Sequence, residues 1–200
     1  NRLVEEKSAA LIQANTRLRE VNARLGRLSH MDGLTGIANR RRFDEALTSE
    51  WRRATRHGHS LALLLVDIDE FKPYNDGYGH LAGDDALRRV AAALSGALSR
   101  GEDLVARYGG EEFAVLLPES GLDDALGVAE HLRAAVNRLR LTHAYASRGV
   151  LSISIGVAAI GPNAALSTAD FVARADRALY RAKSAGRDRI EAAADSNVDE

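Results

Sequence analysis

Two hundred residues at 46% hydrophobic content suffice for one domain with a substantial core plus an appendage, and leave too little chain for two large domains. A formal net charge of -1 and a pI near 6.7 give no general pull toward nucleic acid or anionic lipid, so any phosphate binding must come from a local site. The absence of cysteine excludes disulfides, cysteine-ligated zinc and thiol nucleophiles and fits a cytoplasmic setting, and no apolar run reaches the roughly 18 residues of a spanning helix, so no membrane contact is expected.

In residues 1–29, Val4, Lys7, Leu11, Ala14, Leu18, Val21, Leu25 and Leu28 step by three and four, the seam of a coiled coil. The sharp reading is a parallel two-stranded coil; a single amphipathic helix packed on its own domain would leave the same pattern. Asn1 falls mid-pattern with no initiator Met, so a fragment of a longer protein is expected. Ser29 to Asp32, with Gly33 and Gly36 behind them, read as a hinge, and the globular domain is placed at residues 30–192 with a disordered tail at 193–200.

Within the domain, Asn39 can cap a helix carrying Phe43, Ala46, Leu47 and Trp51 that ends near Gly58. Residues 61–66, Leu-Ala-Leu-Leu-Leu-Val, are a continuous apolar run typical of a buried strand, which stops at Asp67. A polar, glycine-rich loop is expected up to Gly83, then a helix from about Asp84. Next comes a hairpin around Gly109 and Gly110, which can take the positive φ of a tight turn. Residues 122–139 are helical by pattern, 149–159 alternate like a strand, 170–184 return to helix, and Arg189-Ile190 suggest a last short strand. This order predicts an α+β domain with helices over one face of a mainly antiparallel sheet.

The chemistry concentrates where apolar strands end in acid. In an extended backbone Asp67 and Asp69 share a face and the Ile68 carbonyl points to the other, and only one of the two aspartates need be a ligand. Glu111 and Glu112 follow the Gly-Gly turn and complement them if the hairpin lies beside this strand. Acids at neighbouring strand ends repel unless a cation lies between them, and oxygen-only ligation suits Mg²⁺ or Mn²⁺ bound with substrate phosphates. Lys72 offers a phosphate-neutralising cation, and Asn75 with Asp84 a base-reading pair. A carboxylate can accept two hydrogen bonds from the edge of guanine, whereas adenine offers an amine donor only. The spacing of Gly77, Gly79 and Gly83 is one residue too long for a dinucleotide fingerprint, and no phosphate-binding P-loop exists, so phosphates fall to metal and side chains. Lys183 and Arg187 could supply these, or stand as ordinary solvated bases.

Five ordered blocks resemble the GGDEF family of diguanylate cyclases, in the GGEEF variant. They are Asp32-Gly33-Leu34-Thr35-Gly36-Ile37-Ala38-Asn39-Arg40-Arg41, the stretch from Asp67 to Asp84, Arg107 to Phe113, Ser152 to Val157, and Ala175 to Lys183 with Gly186 and Arg187. The resemblance implies a fold similar to the palm of nucleotide polymerases and class III cyclases, a central sheet with flanking helices. The implied reaction joins two GTP molecules into cyclic di-GMP and releases two pyrophosphates. It also implies two Mg²⁺ or Mn²⁺ ions on Asp67, the Ile68 carbonyl, Glu111 and Glu112, with Glu111 the candidate to deprotonate the 3′-hydroxyl. Lys72 would stabilise the phosphoryl transition state, Asn75 and Asp84 would read guanine, His80 would lie along the nucleotide, and Lys183 with Arg187 would hold the terminal phosphates. Each domain holds one GTP, so a homodimer or higher oligomer is implied, with an upstream sensor or receiver domain setting its orientation. Arg100-Gly101-Glu102-Asp103 matches the family's RxxD motif for inhibition by the product. The position of the second inhibitory arginine looks like His131, with Arg133 nearby. Two other classes fit less well: a sensor that binds nucleotide without turnover, which would be expected to lose signature carboxylates or the lysine, and a coiled-coil adaptor, which would not need a polar site.

Overall fold

A computed structural model describes residues 30–161 and 166–193. The heptad seam of residues 1–29 and most of the expected tail lie outside the described residues. The described residues from Asp32 onward form one compact unit.

The elements are β1 (Ala38–Asn39), α1 (Arg40–His57), β2 (Leu61–Ile68), α2 (Phe71–Tyr78), α3 (His80–Ala97), β3 (Leu104–Gly109), β4 (Glu112–Pro118), α4 (Leu122–Arg138), β5 (Ile153–Ile160), α5 (Thr168–Ser184) and β6 (Ile190–Ala192). The sheet order is β1-β3-β4-β2-β5-β6; the four inner strands pair antiparallel and the outer pairs β1–β3 and β5–β6 are parallel. The Ala193 N–H donates to the Val157 carbonyl at 2.6 Å, so the first residue of the expected tail still belongs to the sheet edge.

The helices cover both faces of this sheet, not one. Ala62, Leu64 and Val66 of β2 pack with Leu87, Val90 and Leu94 of α3 and Leu132 and Val136 of α4. Leu61, Leu63 and Leu65 pack on the opposite face with Phe43 and Leu47 of α1 and Phe171, Ala175 and Leu179 of α5. The unbroken apolar run of β2 is the reason: a strand with water on one face would alternate, and every residue of β2 is buried.

Local signals set the helix ends. The Asn39 side chain accepts from Arg42 N at 3.1 Å, and Gly58 closes α1 in the left-handed conformation at φ 67°. Ser167 and Asp170 form a reciprocal capping box at the start of α5. The stretch expected as a loop before Gly83 is instead two helices, α2 and α3, broken at Gly79 with φ 84°. Pro73 is the third residue of α2, where a missing N–H costs nothing, and Phe71 and Tyr74 bury one turn of that helix. The glycines there make room rather than flexibility: a Cβ on Gly83 would lie 1.8 Å from Asn75 Oδ1, and one on Gly77 would lie 1.9 Å from the Tyr145 ring.

At Gly156, β5 and α5 approach backbone to backbone. A Cβ on Gly156 would come within 2.2 Å of both the Ala175 carbonyl and the Leu179 amide, backbone atoms that cannot swing aside. Gly156→Ala is therefore expected to cost about 3 kcal/mol or more in urea denaturation, by forcing α5 off the sheet. Gly96→Ala, where the same atom meets open space, should cost nothing.

Candidate functional site

The central strand brings the acids together. In the β2–β4 register Asp67 stands opposite Glu112, and the Ile68 N–H donates to the Glu111 carbonyl at 3.3 Å. The end of the most buried strand and the tip of the hairpin are therefore one place. Glu111 is half-buried and Glu112 exposed, whereas Asp67 is 6% exposed and faces α5. There Lys183 Nζ lies 2.8 Å from Asp67 Oδ2. Burial pushes the Asp67 carboxyl up to about 6; Lys183 opposes the rise, and the charges of Glu111 and Glu112 add to it.

Among the described residues no three carboxylate or imidazole side chains converge tightly enough to hold an ion by themselves. The donor set nonetheless fits a hard divalent cation: it is all oxygen, it is crowded with negative charge, and the Lys183 ammonium stands where a positive charge is needed. Asp69 is settled as structural. Its Oδ1 accepts from Ser154 Oγ at 2.6 Å, and its Oδ2 accepts from Ser152 Oγ at 2.7 Å and Asp188 N at 3.0 Å, so both oxygens are committed.

The hairpin tip is built differently from the tight glycine turn expected. The turn residues are Gly110 and Glu111, neither Gly109 nor Gly110 has positive φ, and the register shifts between Arg107 and Gly109. This bulge at Tyr108 supplies the twist that a left-handed residue would otherwise provide. Arg107 then locks the tip, a role sequence reasoning missed. Its Nε and Nη2 donate to the Gly110 carbonyl at 3.0 and 2.8 Å, and its Nη1 reaches Asp32 Oδ1 at 3.1 Å. Asp32 also accepts from Thr35 N and Oγ1, which makes it part of the domain rather than of a hinge. Only the nearness in sequence of Arg107 to the Gly-Gly pair could have signalled the lock.

The remaining candidates fall around this centre. Asn75 on α2 packs directly over Gly83, next to Asp84 on α3, and both polar side chains are half-buried. Lys72 and His80 are exposed at the starts of α2 and α3. Lys183 belongs to the last turn of α5, and Arg187 follows in an exposed loop with φ 62°.

A second concavity lies at the far end of the β3–β4 hairpin. A cavity of about 330 Å³ is lined by Arg100, Asp103, Ser120, Asp123, Asp124 and His131, among others. Arg100 Nη1 reaches Ser120 Oγ at 3.3 Å, and Asp103 Oδ1 is buried without a hydrogen-bond partner. Burial raises the Asp103 carboxyl above its ordinary value, with Arg100 opposing the rise. His131 faces this cavity, whereas Arg133 turns away from it to Glu130 Oε1 at 2.7 Å and Asp188 Oδ1 at 3.1 Å.

A family model described as diguanylate cyclase, GGDEF domain, matches residues 29–189. A probable diguanylate cyclase of Escherichia coli K12, DgcC, is 38% identical over 182 residues, covering 91% of this chain and 48% of that protein. The diguanylate cyclase DgcP of Pseudomonas aeruginosa is 46% identical over 162 residues, 81% of this chain and 24% of that protein. The chain thus spans half or less of the length of these curated relatives. Among solved structures, the coiled coil and GGDEF domain of DgcB from Caulobacter crescentus, in complex with c-di-GMP, aligns with a TM-score of 0.76 at 33% identity, covering 95% of this chain and 99% of that one.

The buried acid carries a stability signature. Asp67 binds a proton more tightly folded than unfolded, so its contribution is complete below its ordinary value of 3.8 and is lost as pH rises through about 6. Asp67→Asn is therefore expected to raise the Tm of the metal-free protein by several degrees at about pH 7.5, and to change it little near pH 4. Thermal denaturation at the two pH values checks this.

Proposed function

Since the chain belongs to the GGDEF family of diguanylate cyclases, we propose that it joins two GTP molecules into cyclic di-GMP and releases two pyrophosphates. The observation that carries this reading is the β2–β4 register, which sets the buried Asp67 beside the Glu111–Glu112 turn with Lys183 against it. Asp67, the Ile68 carbonyl, Glu111 and Glu112 would hold Mg²⁺ or Mn²⁺, two per site, supplying Lewis-acid activation of the α-phosphate and of the attacking 3′-oxygen. Glu111, half-buried at the turn, takes the 3′-hydroxyl proton. Asp84 accepts from the N1–H and exocyclic amine of guanine, Asn75 pairs with the same base, and His80 lies along the nucleotide. Lys72 meets the negative charge that develops on the phosphoryl oxygens.

Lys183 has a double role in this scheme. It neutralises Asp67 in the ligand-free molecule and exchanges that carboxylate for the terminal phosphates, which Arg187 also holds. Each domain supplies one GTP, so two domains meet face to face in a homodimer or higher oligomer. The heptad seam read in residues 1–29 would raise their effective concentration, and an upstream domain would set their orientation.

The Arg100, Asp103 and His131 cavity is the proposed seat of product inhibition. The unpartnered Asp103 Oδ1 invites a donor such as the guanine edge, and Arg100 invites a phosphate. With His131 where a second arginine would add another fork, inhibition is expected to be weaker than an all-arginine site would give.

Two experiments test the reading. The purified chain incubated with GTP and Mg²⁺ should yield cyclic di-GMP by mass spectrometry, and the Glu111→Ala, Glu112→Ala double variant should yield none; GTP binding without product would favour the sensor. Arg100→Ala should raise the cyclic di-GMP concentration needed for half inhibition roughly tenfold or more, the worth of a charge-assisted hydrogen bond of about 1.5–3 kcal/mol. The initial rate should be unchanged, and progress curves with added product measure both.

A further inference from the structure

The loop that carries Arg187 is held in an uncommon shape. Gly186, Arg187 and Asp188 have φ of 119°, 62° and 44°, three successive residues in the half of backbone space that L side chains avoid. Such a run persists only when its surroundings over-determine it. Here they do. The Asp188 side chain is 2% exposed, and its two oxygens take three donors: Arg133 Nη1 at 3.1 Å, Asn137 Nδ2 at 3.0 Å and Arg148 Nη2 at 2.8 Å. Its backbone N–H donates to Asp69 Oδ2 at 3.0 Å, and Asp69 is itself fixed by Ser152 and Ser154. On the other side the Arg187 N–H donates to the Ala182 carbonyl at 3.1 Å, and the Arg189 carbonyl accepts from Ile155 N at 2.9 Å.

We infer that Asp188 is a positioning residue that presents Arg187 to the terminal phosphates of the substrate. With Asp69 and Arg133 it fixes the spacing between Arg187 and Asp67. The carboxylate is too deeply enclosed to meet a nucleotide, and the residue it braces is the exposed arginine beside it. Asp69 is two residues beyond Asp67 in the same chain, so one buried network ties the end of β2 to the loop after α5. Arg133 and Asn137 bring α4 into the brace, and Arg148 brings in the turn before β5. This inference rests on the reading of Arg187 as a phosphate ligand, and the test separates the two.

The test compares binding of a non-hydrolysable GTP analogue with that of GMP, which has the guanine and α-phosphate but no terminal phosphates, both with Mg²⁺. Arg187→Ala should weaken the analogue roughly tenfold and leave GMP unchanged; no weakening would refute the phosphate reading of Arg187 and the brace with it. Asp188→Ala should reproduce the same split, and in an Arg187→Ala background should add less than about twofold. Asp188→Asn, which tolerates the left-handed backbone and keeps one acceptor for Arg133 and Asn137 while losing the one that faces Arg148, should recover part of the loss. Should Asp188→Ala fail to fold, Arg148→Ala carries the test, because Arg148 is 54% exposed and its loss leaves the core intact. A loss of about threefold, for the analogue only and absent in the Arg187→Ala background, is expected. Equal weakening of GMP, or losses that add to that of Arg187→Ala, would overturn the inference.

Discussion

The structure turns on one electrostatic constraint: the central strand of a sheet buried on both faces ends in a carboxylate. β2 is apolar from Leu61 to Val66 and then delivers Asp67 into the same low-dielectric layer. A buried carboxylate needs a proton or a cation, and the raised proton affinity of Asp67 together with the Lys183 ammonium 2.8 Å away expresses both demands. Two more carboxylates arrive at the same end because the β2–β4 register leaves them nowhere else to go. Rigid strands thus create a local excess of negative charge, which α5 relieves with one lysine. A site so arranged favours incoming positive charge.

The geometry of this end of the sheet is held by residues outside the acid cluster. Arg107 clamps the hairpin tip through the Gly110 carbonyl and ties it to Asp32, and Asp69 clamps the end of β2 to Asp188. The acids therefore move with the sheet and not with their loops. At the other end of the β3–β4 hairpin, Asp103 immediately precedes β3 and Leu117 belongs to β4, so the Arg100 and Asp103 cavity is anchored to the same hairpin that carries the acids.

Much of this was legible before the structure. The end of β2 at the acids, the hairpin, the cap at Asn39 and the long helices follow from apolar periodicity and from residues with unambiguous local preferences. Sequence reasoning failed where tertiary contact overrode composition. The glycine-rich stretch before Gly83 reads as loop because its glycines are counted as flexible; Gly77 and Gly83 are small because Tyr145 and Asn75 occupy the space a Cβ would need, and Gly79 alone serves a positive φ. The order of elements alone reads as helices over one face, whereas the unbroken run of β2 calls for two covered faces. The pairing of Asp188 with Arg133 is invisible in the sequence because nothing in a linear chain says that residues 55 apart share a part-buried ion pair. The same limit hid the separation of His131 from Arg133, two residues apart on α4 yet turned to different sites.

Asp67 and the Glu111–Glu112 turn are the proposed seat of a divalent ion, with Lys183 as its stand-in. The most direct test is a crystal structure of the protein soaked with Mn²⁺ and a non-hydrolysable GTP analogue, located by anomalous scattering. A manganese peak is expected between Asp67 and the Glu111–Glu112 turn, with Lys183 Nζ moved from Asp67 onto the terminal phosphates. A bound nucleotide with Lys183 still paired to Asp67, or manganese held elsewhere, would contradict it.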